Sequence, residues 1–537
     1  MADFQNYIPY ILIGLLSAIM VRPFFTKYRR TKLRLPPGPV ALPIIGHLHL
    51  LLPVSNVHVV YQKLSCRYGP LMHFFFGSVP CVVVSSAEMA KELLQNQDVV
   101  FSNRPKKVVA ELVAYGDADL TYAPYGAKWR FMKKLCMTEL LGMQTIHHFG
   151  PIRREERNRL LQRLLKKAKA GEAVDVKAEL LSLTSDIMSR MSMSRRCSDN
   201  EDEAAGVKKS ILEMASMAMK LNVTDFIWFC KKLDIQGFLK KAKAARDRYD
   251  SMIERIISEH EEARRKKEAG DGNGEVKDLI DMLLDTTEDE KAEMRLTREN
   301  IKALMLNMIG GGTASPAHAM EWALAELINR PNLMEKARHE IDSVVGKDRL
   351  VEESDITNLP YVEAIVRETL RLHPPGHFIV RESIEDCKVG GYDIPAKTQL
   401  IVNVWAIGRD PNSWENPLEF QPERFLNEGG INRRLNVRGQ QFHLLPFGSG
   451  RRLCPGTTLA LQVLHTTIAA LIQCFDWKGN GNVDMKEGFG STRATPLVCV
   501  PVVRLNHYQY IQVEESLNVS VVSLMWQCFL GTLYVKI

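Results

Sequence analysis

Apolar residues recur at steps of three and four, among many charges, through residues 151–170 and 236–268. That period predicts amphipathic helices. Short apolar runs predict strands at Leu71–Phe76 with Cys81–Val84, at Gly391–Ile394 and at Leu400–Val404. The polar stretches 197–205 and 270–278 read as solvated loops. The pattern as a whole predicts a helix-rich body with small sheets, and no repeat of fixed period is evident.

One helix has an unusual middle. Thr297 is a plausible N-cap, with Leu296 and Ile301 placed as a hydrophobic staple. The helical pattern runs on to about Asn329, where Pro331 stops it. Between them lies Gly310-Gly311-Gly312-Thr313-Ala314-Ser315-Pro316. A helical glycine costs about 1 kcal/mol relative to alanine, and an interior proline about 3. Pro316 has no N–H, so the carbonyl of Gly312 loses its helical partner. Two readings stay open: two helices joined by a loop, or one helix opened at its centre to admit a ligand.

The two ends differ from the body. Ile8–Val21 carries no charge, Phe24 and Phe25 extend the apolar run past Arg22, and Lys27, Arg29, Arg30, Lys32 and Arg34 follow. This predicts an uncleaved membrane anchor over residues 1–34, its basic end on the cytosolic side. The competing reading is an amphipathic or buried first helix. LPPGP (Leu35–Pro39) is then a stiff spacer. The length allows one large domain or two to four smaller ones, and residues 507–537 read as an atypical apolar tail.

The chain has 537 residues, and its 70 basic against 63 acidic side chains leave a net charge of +7. That excess is small for the length and argues against a nucleic-acid partner. The ten cysteines include no CxxC pair, so neither a zinc site nor a disulfide framework is indicated. Most read as reduced, buried, small apolar residues.

Cys454 is different. It lies in FGSGRRLCPG (447–456), between glycines and prolines and two residues after a pair of arginines. This reads as a tight loop presenting a sulfur with cationic neighbours, which lower a thiol's pKa and favour the metal-binding thiolate. The loop matches F-x-x-G-x-R-x-C-x-G at every fixed position and so resembles the haem-thiolate loop of the cytochrome P450 family.

The resemblance implies a single large domain over residues 35–506, mainly α with small β-sheets, holding haem b with Cys454 on its iron. Phe447 and Gly456 belong to that loop. Trp129 and Lys133 resemble the family's W-x-x-x-[RK] helix, which implies haem-propionate contacts shared with Arg381 and Arg452. Glu368 and Arg371, three apart in VRETLRLHPP, resemble the buried E-x-x-R pair that locks onto Arg424 of QPERF. The glycine-rich helix resembles the oxygen-binding groove, [AG]-G-x-[DE]-T-[ST]. Gly311 and Gly312 are kept, but Ala314 stands at the acid position and Ser315 at the threonine. Gly312, Thr313 and Ser315 are therefore the candidates for the proton path. Leu306, Ile309, Gly310, His377, Phe378, Ile379, Val380, Phe489, Gly490 and Ser491 are the expected substrate contacts.

Stretches such as ALPIIGHLHL and LHPPGHFIVRES resemble plant microsomal members. The nearest group includes pterocarpan 6a-hydroxylase, flavone synthase II and the β-amyrin 24-hydroxylases. This implies an endoplasmic-reticulum monooxygenase with its catalytic domain on the cytosolic face. It would use O2 and electrons from NADPH through cytochrome P450 reductase, which Arg451 on a basic proximal surface would help to dock. The longer stretches favour a flavonoid-type phenolic substrate. The order Gly-Thr-x-x-Pro-Ala at 312–317 leans toward the triterpene enzymes. An oxygen-independent isomerase or dehydratase, or a poorly active haem-binding protein, also stays open, because the acid is missing.

Overall fold

The computed structural model describes residues 33–505, apart from 52–55, 199–202, 228–229, 231–232, 269–276, 290, 292, 427–436, 480 and 489. Residues 1–32 of the expected 1–34 anchor, and the tail (507–537), lie outside the described residues.

The principal elements, in chain order, begin with helix α1 (Val57–Tyr68), strand β1 (Leu71–Phe76) and strand β2 (Val79–Val84). Helices α2 (Ala127–Leu135) and α3 (Gly150–Ala170) follow, then β3 (Val174–Asp175) and α4 (Val176–Met193). Next come α5 (Glu203–Met219), α6 (Phe238–Glu268), α7 (Leu279–Glu288), α8 (Arg298–Ile328), α9 (Pro331–Val344) and α10 (Pro360–Leu372). Strands β4 (Phe378–Glu382), β5 (Cys387–Val389), β6 (Tyr392–Ile394) and β7 (Gln399–Asn403) lead to α11 (Thr457–Cys474), β8 (Phe475–Lys478) and β9 (Val498–Val503). The body is mainly helical with small sheets, as the apolar period predicts.

The largest sheet has the order β1-β2-β7-β4, with β1/β2 and β7/β4 antiparallel and β2/β7 parallel. The β1–β2 hairpin turns at Gly77, whose φ is +56°. A Cβ there would sit 2.3 Å from the carbonyl oxygen of Phe226, so the turn needs glycine for both conformation and space. Two smaller sheets, β3-β9-β8 and β5-β6, complete the strands.

Helix α8 crosses the core. Its N-terminus carries a capping box: the Asn300 N–H donates to Thr297 Oγ1 at 3.3 Å, and the Thr297 N–H donates to Asn300 Oδ1 at 3.1 Å. It runs unbroken for 31 residues, Pro316 included, or about 46 Å. The two-helix reading is thereby excluded. Burial of 21 of its 31 residues, mostly on either side of the glycine-rich middle, offsets the poor local propensity there. Among the described residues one helix, α11, is long and apolar enough to cross a membrane, but 78% of it is buried inside the protein. It is a core helix.

Six of the nine cysteines among the described residues are buried, and Cys454 is half-buried.

Candidate active site

The chain from Leu445 to Cys454 closes on itself. The Cys454 N–H donates to the carbonyl of Phe447 and the Leu453 N–H to that of Gly450, each at 3.0 Å. Gly448 and Gly450 take φ of +78° and +67°. A Cβ on Gly450 would meet Asp98 Oδ1 at 2.5 Å and the Leu94 carbonyl at 2.7 Å. Two glycines thus give the loop its conformation and let it lie against the 92–98 segment. The loop ends at the start of α11, where Thr457 Oγ1 donates to the Cys454 carbonyl at 2.9 Å.

The loop presents Cys454 to a cavity of about 470 Å³. Phe447, Gly456, Arg452, Trp129, Lys133 and Arg381 line it with Cys454, and so do Gly312 and Ser315 from α8. The seven haem-binding candidates are therefore brought together on one cavity.

The cationic neighbours differ from those read in the sequence. Arg451 points to the surface and pairs with Asp98 at 3.2 Å. Arg452 is buried and donates to the backbone carbonyls of Ser102, Leu120 and Ala123. Burial raises the Cys454 thiol above its ordinary value, rather than the arginines lowering it. Opposing that are the Gly456 N–H, the charge of Lys133 and a hydrogen bond with Thr457. Lys133 is itself anchored to the Leu453 carbonyl.

The chemistry of the donor set fits a haem. Arg104, Arg381 and Arg452 converge on the cavity, and the acceptors they meet are backbone carbonyls: Arg104 and Arg381 both donate to Val380, at 3.0 and 3.1 Å. Burial pushes the Arg381 guanidinium well below its ordinary pKa, and the charges of Arg104 and Arg452 push it further. Burial brings Arg452 down to about 9, with Arg104 again adding. Buried cations gathered this way call for anionic partners, and two carboxylates on one ligand meet that need. Trp129 fixes the wall: its Nε1 donates to the Leu120 carbonyl at 3.0 Å, and the Arg452 guanidinium stacks 4.2 Å over its ring. Cys454 supplies the one thiol among the residues that line the cavity, and a thiolate is a soft metal ligand.

Beside the cavity, Glu368 and Arg371 form a buried pair with two hydrogen bonds of 2.7 Å. Arg424 Nε donates to the same carboxylate at 3.0 Å. The remaining Arg371 donors go to the carbonyls of Gly408, Pro417 and Glu419. The trio ties α10 to the segment that leads toward the thiol loop.

The groove candidates separate. Ser315 and Gly312 face the cavity. Thr313 is buried and outside its lining, and its hydroxyl donates to the Ile309 carbonyl at 2.6 Å. Its own carbonyl accepts from Thr184 Oγ1 at 2.8 Å.

The substrate candidates divide too. Phe378 and Ile379 line the cavity; His377 and Val380 do not. His377 packs its ring 4.1 Å from that of His58, beside Glu487, and burial lowers its pKa to about 3. On α8 the cavity face runs through Asn307, Met308 and Gly311 instead of Leu306, Ile309 and Gly310. Gly310 faces α5, where a Cβ would meet Ile211 at 3.1 Å. Gly490 and Ser491 are not among the lining residues, and the Ser491 carbonyl accepts from Trp322 Nε1 at 2.8 Å. Phe489 lies outside the described residues.

Sequence reasoning missed Arg104 and Asn307. Asn307 Oδ1 accepts the Leu120 N–H at 2.9 Å, and so ties the segment over the cavity to α8. A basic residue in SNRPKK gives no local sign of burial.

Comparison with known proteins agrees with this geometry. The family model described as Cytochrome P450 matches residues 36–500. Cytochrome P450 93A3 of Glycine max is 52% identical over 509 residues, covering 93% of this chain and 99% of that protein. The 3,9-dihydroxypterocarpan 6A-monooxygenase of Glycine max is 52% identical over 510 residues, with the same coverage of 93% and 99%. Beta-amyrin 24-hydroxylase of Glycine max is 45% identical over 517 residues, covering 95% of this chain and all of that protein. Among solved structures, a zebra fish cytochrome P450 with progesterone superposes with a TM-score of 0.70 at 24% identity, over 83% of this chain and 99% of that one.

Proposed function

The chain belongs to the cytochrome P450 monooxygenase family, whose members use haem and electrons from NADPH through a reductase, and from that premise we propose that it oxidises a flavonoid- or isoflavonoid-type phenol. The observation that carries this reading is the 52% identity to the pterocarpan monooxygenase across nearly all of that protein, against 45% for the β-amyrin enzyme. The triterpene reading keeps one specific support, the order Gly312-Thr313-x-x-Pro316-Ala317 in the groove, which leans toward the triterpene enzymes.

Bound haem supplies dioxygen activation at a thiolate-ligated iron. In our reading Cys454 is the thiolate. Trp129, Lys133, Arg381 and Arg452 hold the propionates, joined by Arg104. Glu368, Arg371 and Arg424 keep the thiol loop in register. Phe378, Ile379, Asn307 and Met308 shape the space above, and the Asn307 amide offers a polar contact to a phenolic oxygen. Ser315 Oγ donates a proton in the groove, and the Gly312 carbonyl, left without a helical donor by Pro316, holds a water beside it. We place the protein on the endoplasmic reticulum through residues 1–34, with the catalytic domain 35–506 on the cytosolic face and a reductase docking beside Arg451.

The test starts with the reduced carbon monoxide difference spectrum of microsomes, with Cys454→Ser as the control. A thiolate Soret band absent from the control supports the ligand assignment. Turnover is then measured with NADPH and reductase, flavonoids first and triterpenes second. Product from triterpenes alone overturns the phenolic reading, and turnover of a peroxide without NADPH or reductase supports the isomerase class. No thiolate band from well-expressed protein sinks the assignment of Cys454, and repeating the measurement on a chain cut after Asn506 shows whether the tail is responsible.

A further inference from the structure

We propose that water and protons reach the Gly312–Ser315 groove by a second route, between α3, α4 and α11, gated by Ile187 and Val463. A second cavity of about 360 Å³ lies there, lined by Arg153, Arg157, Glu352, Glu353, Thr466 and Thr467. Ile187 and Val463 line both this cavity and the 470 Å³ one. A single layer of side chains therefore separates the two spaces.

Each side of that layer is suited to water. On the outer side Arg157 is only 3% exposed, yet its Nε has no hydrogen-bond partner. Its other nitrogens are engaged, Nη1 on the Val351 carbonyl at 2.7 Å and Nη2 on Glu352 at 3.3 Å. A buried unpartnered donor in a roomy polar cavity is a water position. On the inner side, Gly312 lets α4 pack closely on α8, since a Cβ there would lie 2.5 Å from Met188 Sδ, and the flexible Met188 side chain fills that space. Polar groups at that end are the Gly312 carbonyl, the Ser315 hydroxyl and Thr184 of α4, whose hydroxyl donates to the Thr313 carbonyl at 2.8 Å.

The gate itself is apolar and carries nothing that titrates. Both side chains are buried, and water crosses only as they change rotamer. Such a route answers a need of this groove. Ala314 cannot pass a proton, so the groove must draw on water from outside. The inference rests on haem occupying the first cavity and does not depend on the substrate class.

Bulk-water proton relaxation of the substrate-free ferric holoenzyme reads water access without turnover. Ile187→Phe and Val463→Phe are expected to cut the exchange contribution several-fold, and Ile187→Ala to raise it, at an unchanged carbon monoxide band and ferric spin state. Relaxation that stays at the wild-type value in the folded Phe variants overturns the route. If the Phe variants fail to take up haem, Ile187→Ala decides alone: a raised rate supports the gate and an unchanged rate overturns it. A missing carbon monoxide band in the wild-type chain would instead strike the haem assignment itself.

Discussion

Arg371 grips Glu368 through two parallel hydrogen bonds of 2.7 Å, and neither side chain is exposed. The same carboxylate accepts from Arg424 and from the Gln421 N–H at 2.8 Å. Removing one partner strands a buried charge, which costs about 3–5 kcal/mol. Arg371→Ala is therefore expected to lose the thiolate band and most soluble protein. Arg371→Lys should fare little better, because an ammonium cannot reproduce the planar fork. Urea unfolding and the carbon monoxide spectrum check both.

Arg381 should show effects of opposite sign in the two states of the protein. Without haem its charge is buried beside Arg104 and Arg452, so Arg381→Gln relieves repulsion and the haem-free chain gains stability. With haem, the variant lacks a charge-assisted contact worth about 1.5–3 kcal/mol, or roughly ten- to a hundred-fold in retention. Transfer of haem to apomyoglobin, measured beside apoprotein melting, separates the two effects.

What the sequence disclosed followed from whether the deciding interactions were local. The Thr297 cap was legible because capping involves residues three apart. The Glu368–Arg371 pair was legible from its helical spacing and its resemblance to a known pattern. The turn of α8 toward the cavity was not. One residue of helix is about 100° of rotation, and packing on α4 and α5 sets it, as the contacts of Gly310 with Ile211 and of Gly312 with Met188 show. His377 was drawn away from the cavity by His58, which lies far back in the chain. Arg104 becomes remarkable only when folding sets it beside Arg381. Likewise, the arginines of the thiol loop were read as neighbours of the sulfur from adjacency, whereas the fold turns both away and brings Lys133 in.

The two hydroxyls of the groove should behave differently on removal. Thr313 spends its hydroxyl on the Ile309 carbonyl within the helix. Thr313→Val should cost about 1 kcal/mol of stability and leave coupling close to wild type. Ser315 faces the cavity. Ser315→Ala should lower coupled turnover about a hundredfold, the lower end of what a positioned proton donor contributes, and divert NADPH into peroxide. Ser315→Thr should restore coupling, since it returns a hydroxyl. Product, peroxide and NADPH consumption are measured together; equal peroxide release from Ser315→Ala and wild type would remove Ser315 from the proton path.

His260 gives the fold a pH dependence remote from the active site. Its Nε2 lies 2.8 Å from Asp278 Oδ2 and its Nδ1 2.8 Å from the Ile256 carbonyl, clipping α6 to the start of α7. Burial alone would lower its pKa, but the hydrogen bond and charge of Asp278 outweigh it, with Asp281 adding, and hold it up at about 9. Ser194 Oγ also donates to that Asp278 oxygen, at 2.9 Å, which brings the end of α4 into the clip. A histidine whose pKa is raised on folding stabilises fully below its unfolded value of 6.5, and that contribution fades as pH rises through about 9. After allowance for solvent, the clip contributes on the order of 2 kcal/mol at neutral pH. His260→Gln should therefore melt earlier than wild type at neutral pH, with the gap closing as pH passes the folded value. A gap that stayed constant across that range would mean that packing, and not the charge of His260, holds the two helices together.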